Sequence, residues 1–551
     1  MGAIAVPVAV GQTLAALGAR QAFGLLGSGN FAVTNALVAS GVAFASARHE
    51  GGAITMADAW ARVTGEVGIC TVHQGPGLTN AMTGLTEAAK SRTPLLLLAA
   101  DTAAAATRSN FRIAQDQLVE AVGAIAERLR SPESAAPDTA RAYRRAQTER
   151  RPVVLMLPLD VQAGTCLPPA ALPSPDPQPA LRPSDTAIAQ VIDALARSER
   201  PLFIAGRGAA LAGAGDRIAQ LADRYGALLA TSAVANGLFA DNPWSLGISG
   251  GFASPTAARL IGEADLVIGF GVALNMWTTR HGHLLSDRAT VIQVDHEADA
   301  IGAHHRVDLG VLGDVGETVD TLLTASASTE RSTTGWRSPA LAAAIEAGRW
   351  QHEPFTDASN GQQIDPRALS RALDTMLSAE RTVAIDSGHF MGYPAMYFRV
   401  PDQHGFVFTQ AFQSVGLGLA SAIGAAIARP DRLTIAALGD GGALMALPEF
   451  ETVARLGLRM VIVVYNDAAY GAEVHHFGPH GDALDLVRFP DTDFAALGRA
   501  AGLAGITVCA ADDLATVQDW LAAEGPGALV IDAKVVPTVV AEWLEEAFRG
   551  H

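Results

Sequence analysis

The chain has 551 residues, and at roughly 150 residues per domain that length implies three to four units. Apolar residues make up 49% and charged residues 17%, with 55 Gly and 28 Pro, a balance that excludes disordered, collagen-like and coiled-coil classes. With 39 Lys and Arg against 56 Asp and Glu, the formal charge is -17, and no basic stripe compensates, which excludes nucleic acid as a partner.

The opening MGAIAVPVAV lacks a basic region and has Val6 where a myristoylation signal needs Ser or Thr, so no export is expected. Residues 22–27, 42–47, 68–72 and 94–101 read as buried strands, and residues 51–63 and 78–89 as helices. Residues 166–185, rich in Pro, read as a linker. The middle block alternates in the same way through RPLFIAGRGAALAGAG, DLVIGFGVALNMW and ATVIQVDHEADAIG, and residues 324–339 read as a second linker. The last block has strand-like runs at 382–388, 433–440 and 459–467. The expected fold is α/β, three doubly wound parallel-sheet domains spanning 1–168, 185–325 and 345–551. The longest run of small apolar residues, 415–428, is shorter than the roughly 18 to 20 residues of a spanning helix, so no membrane partner is expected. Cys70, Cys166 and Cys509 are odd in number and far apart, which fits neither a disulfide framework nor a zinc site, and a cytoplasmic location is expected.

In such sheets ligands gather beyond the carboxyl ends of the strands. The run LTIAAL ends in Gly439-Asp440-Gly441-Gly442, and one helix-plus-strand crossover later RMVIVVY ends in Asn466-Asp467. Alone, GDGG also reads as a tight turn with an acidic cap. Two carboxylates ending neighbouring strands, however, repel each other unless a cation lies between them, and hard oxygen ligands suit magnesium. Gly441 and Gly442 would let backbone N–H groups approach a phosphate. The pattern therefore reads as a diphosphate with Mg²⁺.

The segment GDGGALMALPEFETVARLGLRMVIVVYND resembles the thiamine-diphosphate binding motif, with Asp467 at the usual second Asn. RHEGGAITMADAWARVTG and HQGPGLTN resemble the pyrimidine-binding domain of the acetolactate synthase and pyruvate decarboxylase superfamily. The resemblance runs from about residue 5 to 540 and implies the order pyrimidine-binding, middle and diphosphate-binding domain. It implies that Asp440, Asp467 and the carbonyl of Ala469 hold Mg²⁺, with Gly439, Gly441, Gly442 and Ala443 beside the diphosphate of thiamine diphosphate. Glu50 would hold a proton on the aminopyrimidine so that the cofactor's amino nitrogen can deprotonate its thiazolium carbon, a task for a buried carboxylate. As an isolated residue Glu50 is simply a carboxylate at a helix start.

Within FTQAFQSVGLGLASAIGAA, the resemblance puts Val415 at the aliphatic prop that bends the cofactor and the carbonyl of Gln413 near its amino nitrogen. His389 in DSGHF is a donor toward the diphosphate. Gly27, Pro76 and Asn80 border the cofactor, and Gln115 the substrate. Glu473 matches a second glutamate that moves protons in pyruvate-decarboxylase-like enzymes, where acetolactate synthases are apolar. His475 and His476, being adjacent, diverge on a helix or strand and read as pocket-rim or surface residues rather than zinc ligands. GFGVALNMWTTRHG replaces the flavin-binding segment of acetolactate synthases, so FAD is expected to be absent or dispensable. The resemblance also implies a homodimer or homotetramer with active sites at the subunit interface. The implied activity is C–C bond lysis or ligation on a 2-oxo acid by an acetolactate-synthase-like carboligase. The alternatives are a non-oxidative 2-oxo acid decarboxylase or an aldehyde lyase, and an inactive protein that keeps the cofactor fold for binding.

Overall fold

The computed structural model describes residues 2–169, 180–327, 336–523, 527–541 and 543–549. The centres of both expected linkers, 170–179 and 328–335, lie outside the described residues. The described residues form three six-stranded parallel sheets. Ahead of the first lies β1 (Ile4–Ala5). The first sheet contains β2 (Gln21–Gly24), β3 (Ala43–Ser46), β4 (Gly68–Val72), β5 (Leu95–Asp101), β6 (Ile125–Arg128) and β7 (Pro152–Pro158). A short β8 (Thr165–Cys166) then pairs antiparallel with β1, so the expected first linker begins inside a strand. The second sheet contains β9 (Pro201–Ala205), β10 (Leu228–Thr231), β11 (Ser245–Ile248), β12 (Leu266–Phe270), β13 (Thr290–Asp295) and β14 (Leu309–Leu312). The third contains β15 (Arg381–Ile385), β16 (Phe406–Phe408), β17 (Leu433–Gly439), β18 (Met460–Asn466), β19 (Ala504–Val508) and β20 (Ala528–Lys534).

The first and third sheets share one topology, β3-β2-β4-β5-β7-β6 and β16-β15-β17-β18-β20-β19, while the middle one runs β11-β10-β9-β12-β13-β14, the order of dinucleotide-binding folds. Each order has a switch point that opens a crevice at the carboxyl ends of β2 and β4, of β9 and β12, and of β15 and β17, and in the first and third sheets the chain also steps back at the far edge, placing β7 between β5 and β6 and β20 between β18 and β19. The apolar runs that read as strands are buried on both faces: every residue of β4, β5 and β18 is buried. Where a boundary moved, a side chain explains it. The run 22–27 stops as a strand at Gly24 because Asn30 takes over the backbone, donating from Nδ2 to the Leu25 carbonyl and accepting from the Gly27 N–H.

The Glu50–Thr64 helix starts where His49 Nδ1 accepts from the Gly51 N–H and ends at Gly65, whose φ of 75° only glycine adopts at little cost. It packs on the Gly418–Ala428 helix of the third domain. One apolar core joins Ile54, Met56 and Trp60 to Leu419, Ile423 and Phe450, so the outer domains are fused through their helices. No helix among the described residues is long and apolar enough to cross a membrane.

Candidate active site

A cleft of about 1090 Å³ opens at the crevice between β15 and β17. Its floor is the glycine turn after β17. A Cβ on Gly442 would collide with the Asp386 carboxylate, and one on Gly471 with the His389 ring and Asp467, so glycine is what lets these groups close up. Asp440 opens a short helix and Asp467 follows β18, whose register pairs Gly439 with Tyr465, so the two acids end neighbouring strands. Burial pushes the Asp440 carboxyl up to about 6 although backbone N–H groups of Gly441 and Ala469 point at it. Burial, and then the charge of Asp440, pushes Asp467 up to about 7. The loop is strained: Ala468 has φ 55°, held by its N–H donating to Asn466 Oδ1, and Ala469 N donates to Asp467 Oδ1 at 3.2 Å. Asn466 itself points away, with Nδ2 on Asp532 and the Thr492 carbonyl. His389 lines the cleft with Nε2 3.8 Å from Asp467. Burial, with His475 nearby, lowers its pKa to about 3, so the ring is neutral. Ala443 is fully buried and does not line the cleft.

A strap, residues 408–417, forms the adjoining wall. Gln413 sits at φ 60°, a left-handed conformation costly for a side-chain-bearing residue, and its carbonyl accepts from Ser387 Oγ at 3.4 Å. Val415 projects with 40% of its surface exposed. Asp386, fully buried and pushed up to about 6 by that burial, accepts from the N–H groups of Gly416 and Leu417 and pins the strap's end. Gln410 also lines the cleft, and both its amide atoms are buried without a partner.

The opposite wall comes from the middle domain and the last described helix, Trp543–Phe548. Trp543 packs edge-on to Phe252 and against Trp277, and its Nε1 donates to the His389 carbonyl. Glu473 lines the cleft on the Gly471–Phe477 helix. The two adjacent histidines part there: His475 lies against His389, while His476 stacks on Phe548 with ring centroids 3.9 Å apart. Among the described residues no group of three or more His, Cys, Asp or Glu gathers as a metal site.

The remaining site candidates gather elsewhere. Glu50, buried at 8% exposure, accepts from Asn80 Nδ2 at 3.0 Å on the Pro76–Lys90 helix, near the Gly27 turn and His73 at the crevice between β2 and β4. None of Glu50, Gly27, Pro76, Asn80 and Gln115 lines the cleft that holds Asp440. Gln115, expected beside the substrate, is 2% exposed. Its amide is committed to backbone at both ends, accepting from Gly75 N and donating to the Ala100 carbonyl, so it shapes the turn before Pro76. Reading the sequence alone missed Glu449, whose carboxylate accepts from the N–H groups of Arg48 and His49 and so sets the start of the Glu50 helix. It also missed Gln410, Gln74 and Trp543.

In the middle domain the crevice turn lines the same cleft through Arg207, Gly208 and Gly271. Gly208 N donates to the Gly271 carbonyl, and the Arg207 guanidinium donates to the Ser91 carbonyl of the first domain.

Residues 7–123, 188–322 and 386–533 match, in turn, the N-terminal TPP binding domain, the central domain and the C-terminal TPP binding domain of thiamine pyrophosphate enzymes. A protein of Mycobacterium tuberculosis named "Putative acetolactate synthase large subunit IlvB2" is 30% identical over 520 residues, 90% of each chain. A sulfoacetaldehyde acetyltransferase of Alcaligenes xylosoxydans is 26% identical over 91% of this chain and 88% of its own. "Probable 2-ketoarginine decarboxylase AruI" of Pseudomonas aeruginosa is 30% identical over 90% of this chain and 87% of its own. Three successive domains and a relative matched nearly end to end establish that the chain belongs to the thiamine pyrophosphate enzyme family.

Proposed function

We propose that this thiamine-diphosphate-dependent enzyme makes or breaks a C–C bond next to the carbonyl of a 2-oxo acid, as an acetolactate-synthase-like carboligase that works without flavin. The observation that carries the reading is the paired acids Asp440 and Asp467 at a glycine turn, beside a strained strap that presents Val415 and the Gln413 carbonyl. Two neighbouring carboxylates, each held protonation-prone by burial and Asp467 further so by the charge of Asp440, are a donor set for Mg²⁺, joined by the Ala469 carbonyl, and the unpartnered Gln410 amide offers the bound group a further hydrogen bond. When bound, the cofactor supplies the carbon nucleophile and the electron-accepting ring that the reaction needs. Glu50 would hold a proton at the pyrimidine ring nitrogen, Val415 would pack against the cofactor, the neutral His389 would donate toward the diphosphate, and Phe252, Trp277 and Trp543 would cover the cleft's apolar wall.

Because the Glu50 group and the Asp440 cleft are separate in one chain, we infer that two copies complete each site. Exposed Phe412, Val415, Leu444 and Met445 on one side, and Phe31, Phe111 and Ile113 on the other, supply apolar surface for that contact.

Glu473 favours a second reading, a 2-oxo acid decarboxylase in which this carboxylate moves a proton to the product carbon. The test is incubation with thiamine diphosphate, Mg²⁺ and a panel of 2-oxo acids without flavin, with products identified by NMR. A 2-hydroxy ketone is the expected product; a free aldehyde overturns the carboligase reading in favour of the decarboxylase, and absence of CO₂ release from every acid overturns both.

A further inference from the structure

The strap that carries Gln413 and Val415 belongs to the third domain, yet its first half is held by the first. Arg62, in the last turn of the Glu50–Thr64 helix, donates from one terminal nitrogen to the Phe408 carbonyl at 3.1 Å, where β16 ends and the strap begins. Its other terminal nitrogen donates to Glu87 Oε1 at 2.9 Å. The second oxygen of Glu87 accepts from the Phe412 N–H at 2.7 Å. Glu87 is wholly buried, on the Pro76–Lys90 helix, and Ser91 Oγ supplies a third donor. Burial alone would raise its pKa, but Arg62 and the Phe412 N–H outweigh burial and hold it below the usual carboxylate range. A buried acid with Arg62 and Asp58 beside it is an expensive feature for a helix-to-helix contact that apolar residues would make as well. What the charge adds is a fixed point for a peptide N–H, one residue before the left-handed Gln413. From there the chain runs 413–415 to the Asp386 anchor at Gly416 and Leu417, so two carboxylates from two domains bracket the residues that face the cleft.

We propose that Glu87, clamped by Arg62, is a positioning residue that fixes the Ala411–Phe412 peptide and so sets where the Gln413 carbonyl and the Val415 side chain, one and three residues on, meet the cofactor. The inference rests on the thiamine-diphosphate reading of the cleft. Asn80, which donates to Glu50, lies seven residues before Glu87 on the same helix face, so the helix that serves the catalytic acid also serves the strap.

The test uses the full chain as Glu87→Asp and Glu87→Gln. Glu87→Asp keeps a charge for Arg62 but is one methylene short of Phe412; Glu87→Gln keeps the reach and can turn its one carbonyl oxygen to the Phe412 N–H, at the cost of setting its NH2 against the Arg62 and Ser91 donors. Thiamine diphosphate with Mg²⁺ is titrated by quenching of tryptophan fluorescence, the loaded proteins are compared by near-UV circular dichroism, and amide exchange is measured without cofactor. Glu87→Asp is expected to bind about tenfold more weakly, with an altered dichroism band, faster exchange confined to residues 410–417 and little change in melting temperature. Glu87→Gln is expected to lose less affinity. Wild-type affinity and dichroism in Glu87→Asp overturn the proposal, as does faster exchange spread over the whole first domain. A wild-type protein that does not bind thiamine diphosphate overturns the reading of the cleft itself, a result visible before either variant is compared.

Discussion

Two acids buried at adjacent strand ends are a cost that the protein keeps, and the cost has a sign. In the cofactor-free protein burial lifts Asp440 and Asp467 from the ordinary carboxylate range to about 6 and about 7. Between the unfolded and folded values the native state binds more protons, so stability falls as pH rises from about 4 to about 7. The cofactor-free protein should therefore melt at a higher temperature at about pH 5.5 than at about pH 7.5, and Asp467→Asn should flatten that slope; an unchanged slope in thermal melts removes Asp467 from the account. Glu50 differs in kind, because its partner Asn80 is neutral and its environment keeps it from solvent. Glu50→Gln should retain cofactor binding, measured by fluorescence titration, while turnover falls about 100-fold or more. The places of Asp440 and Asp467 were legible from the sequence because each closes an apolar strand run, and Glu50 was singled out through the motif around it. Glu87 and Glu449 were not, since what matters in each is a backbone N–H of another domain.

The helix pair Glu50–Thr64 and Gly418–Ala428 is the element on which both half-sites depend. One helix begins at Glu50 and the other directly follows the strap. They approach so closely that a Cβ on Gly424 would strike the Met56 carbonyl, which a helix backbone yields only by moving the whole helix. Gly424→Ala should cost about 1 to 3 kcal/mol in denaturant unfolding and lower cofactor affinity as well. A stability loss with unchanged affinity would mean that the helix pair does not govern the site. Both helices were readable as apolar segments, but their contact was not, because 418–428 is a run of small residues whose partner lies more than 350 residues away.

At the scale of the molecule, the first and third sheets repeat one topology with the crevice of each furnished differently, one with Glu50 and the other with the paired acids. If two copies complete each site, chains carrying Glu50→Gln and chains carrying Asp440→Ala, each inactive alone, should recover activity when unfolded and refolded together. Random pairing gives half mixed dimers with one intact site each, about a quarter of wild-type turnover. No recovery would sink the shared site. The middle domain keeps the dinucleotide-binding strand order, yet its crevice turn bonds to itself and to the first domain through Arg207. That use of the turn did not follow from GRG as a string.

By itself the sequence determined the three parallel-sheet domains, because buried strands need continuous apolar runs, and it determined the paired acids, because GDGG and ND close two such runs one crossover apart. Only the tertiary structure decided which of the named residues share a cleft. It put Glu50 and Asp440 on different surfaces of one chain, tied the Gln115 amide to backbone, and gave Glu87 the strap to hold. The physical reason is that strand periodicity is a local property, whereas a hydrogen bond between a buried carboxylate and a peptide hundreds of residues away exists only once the helices have packed.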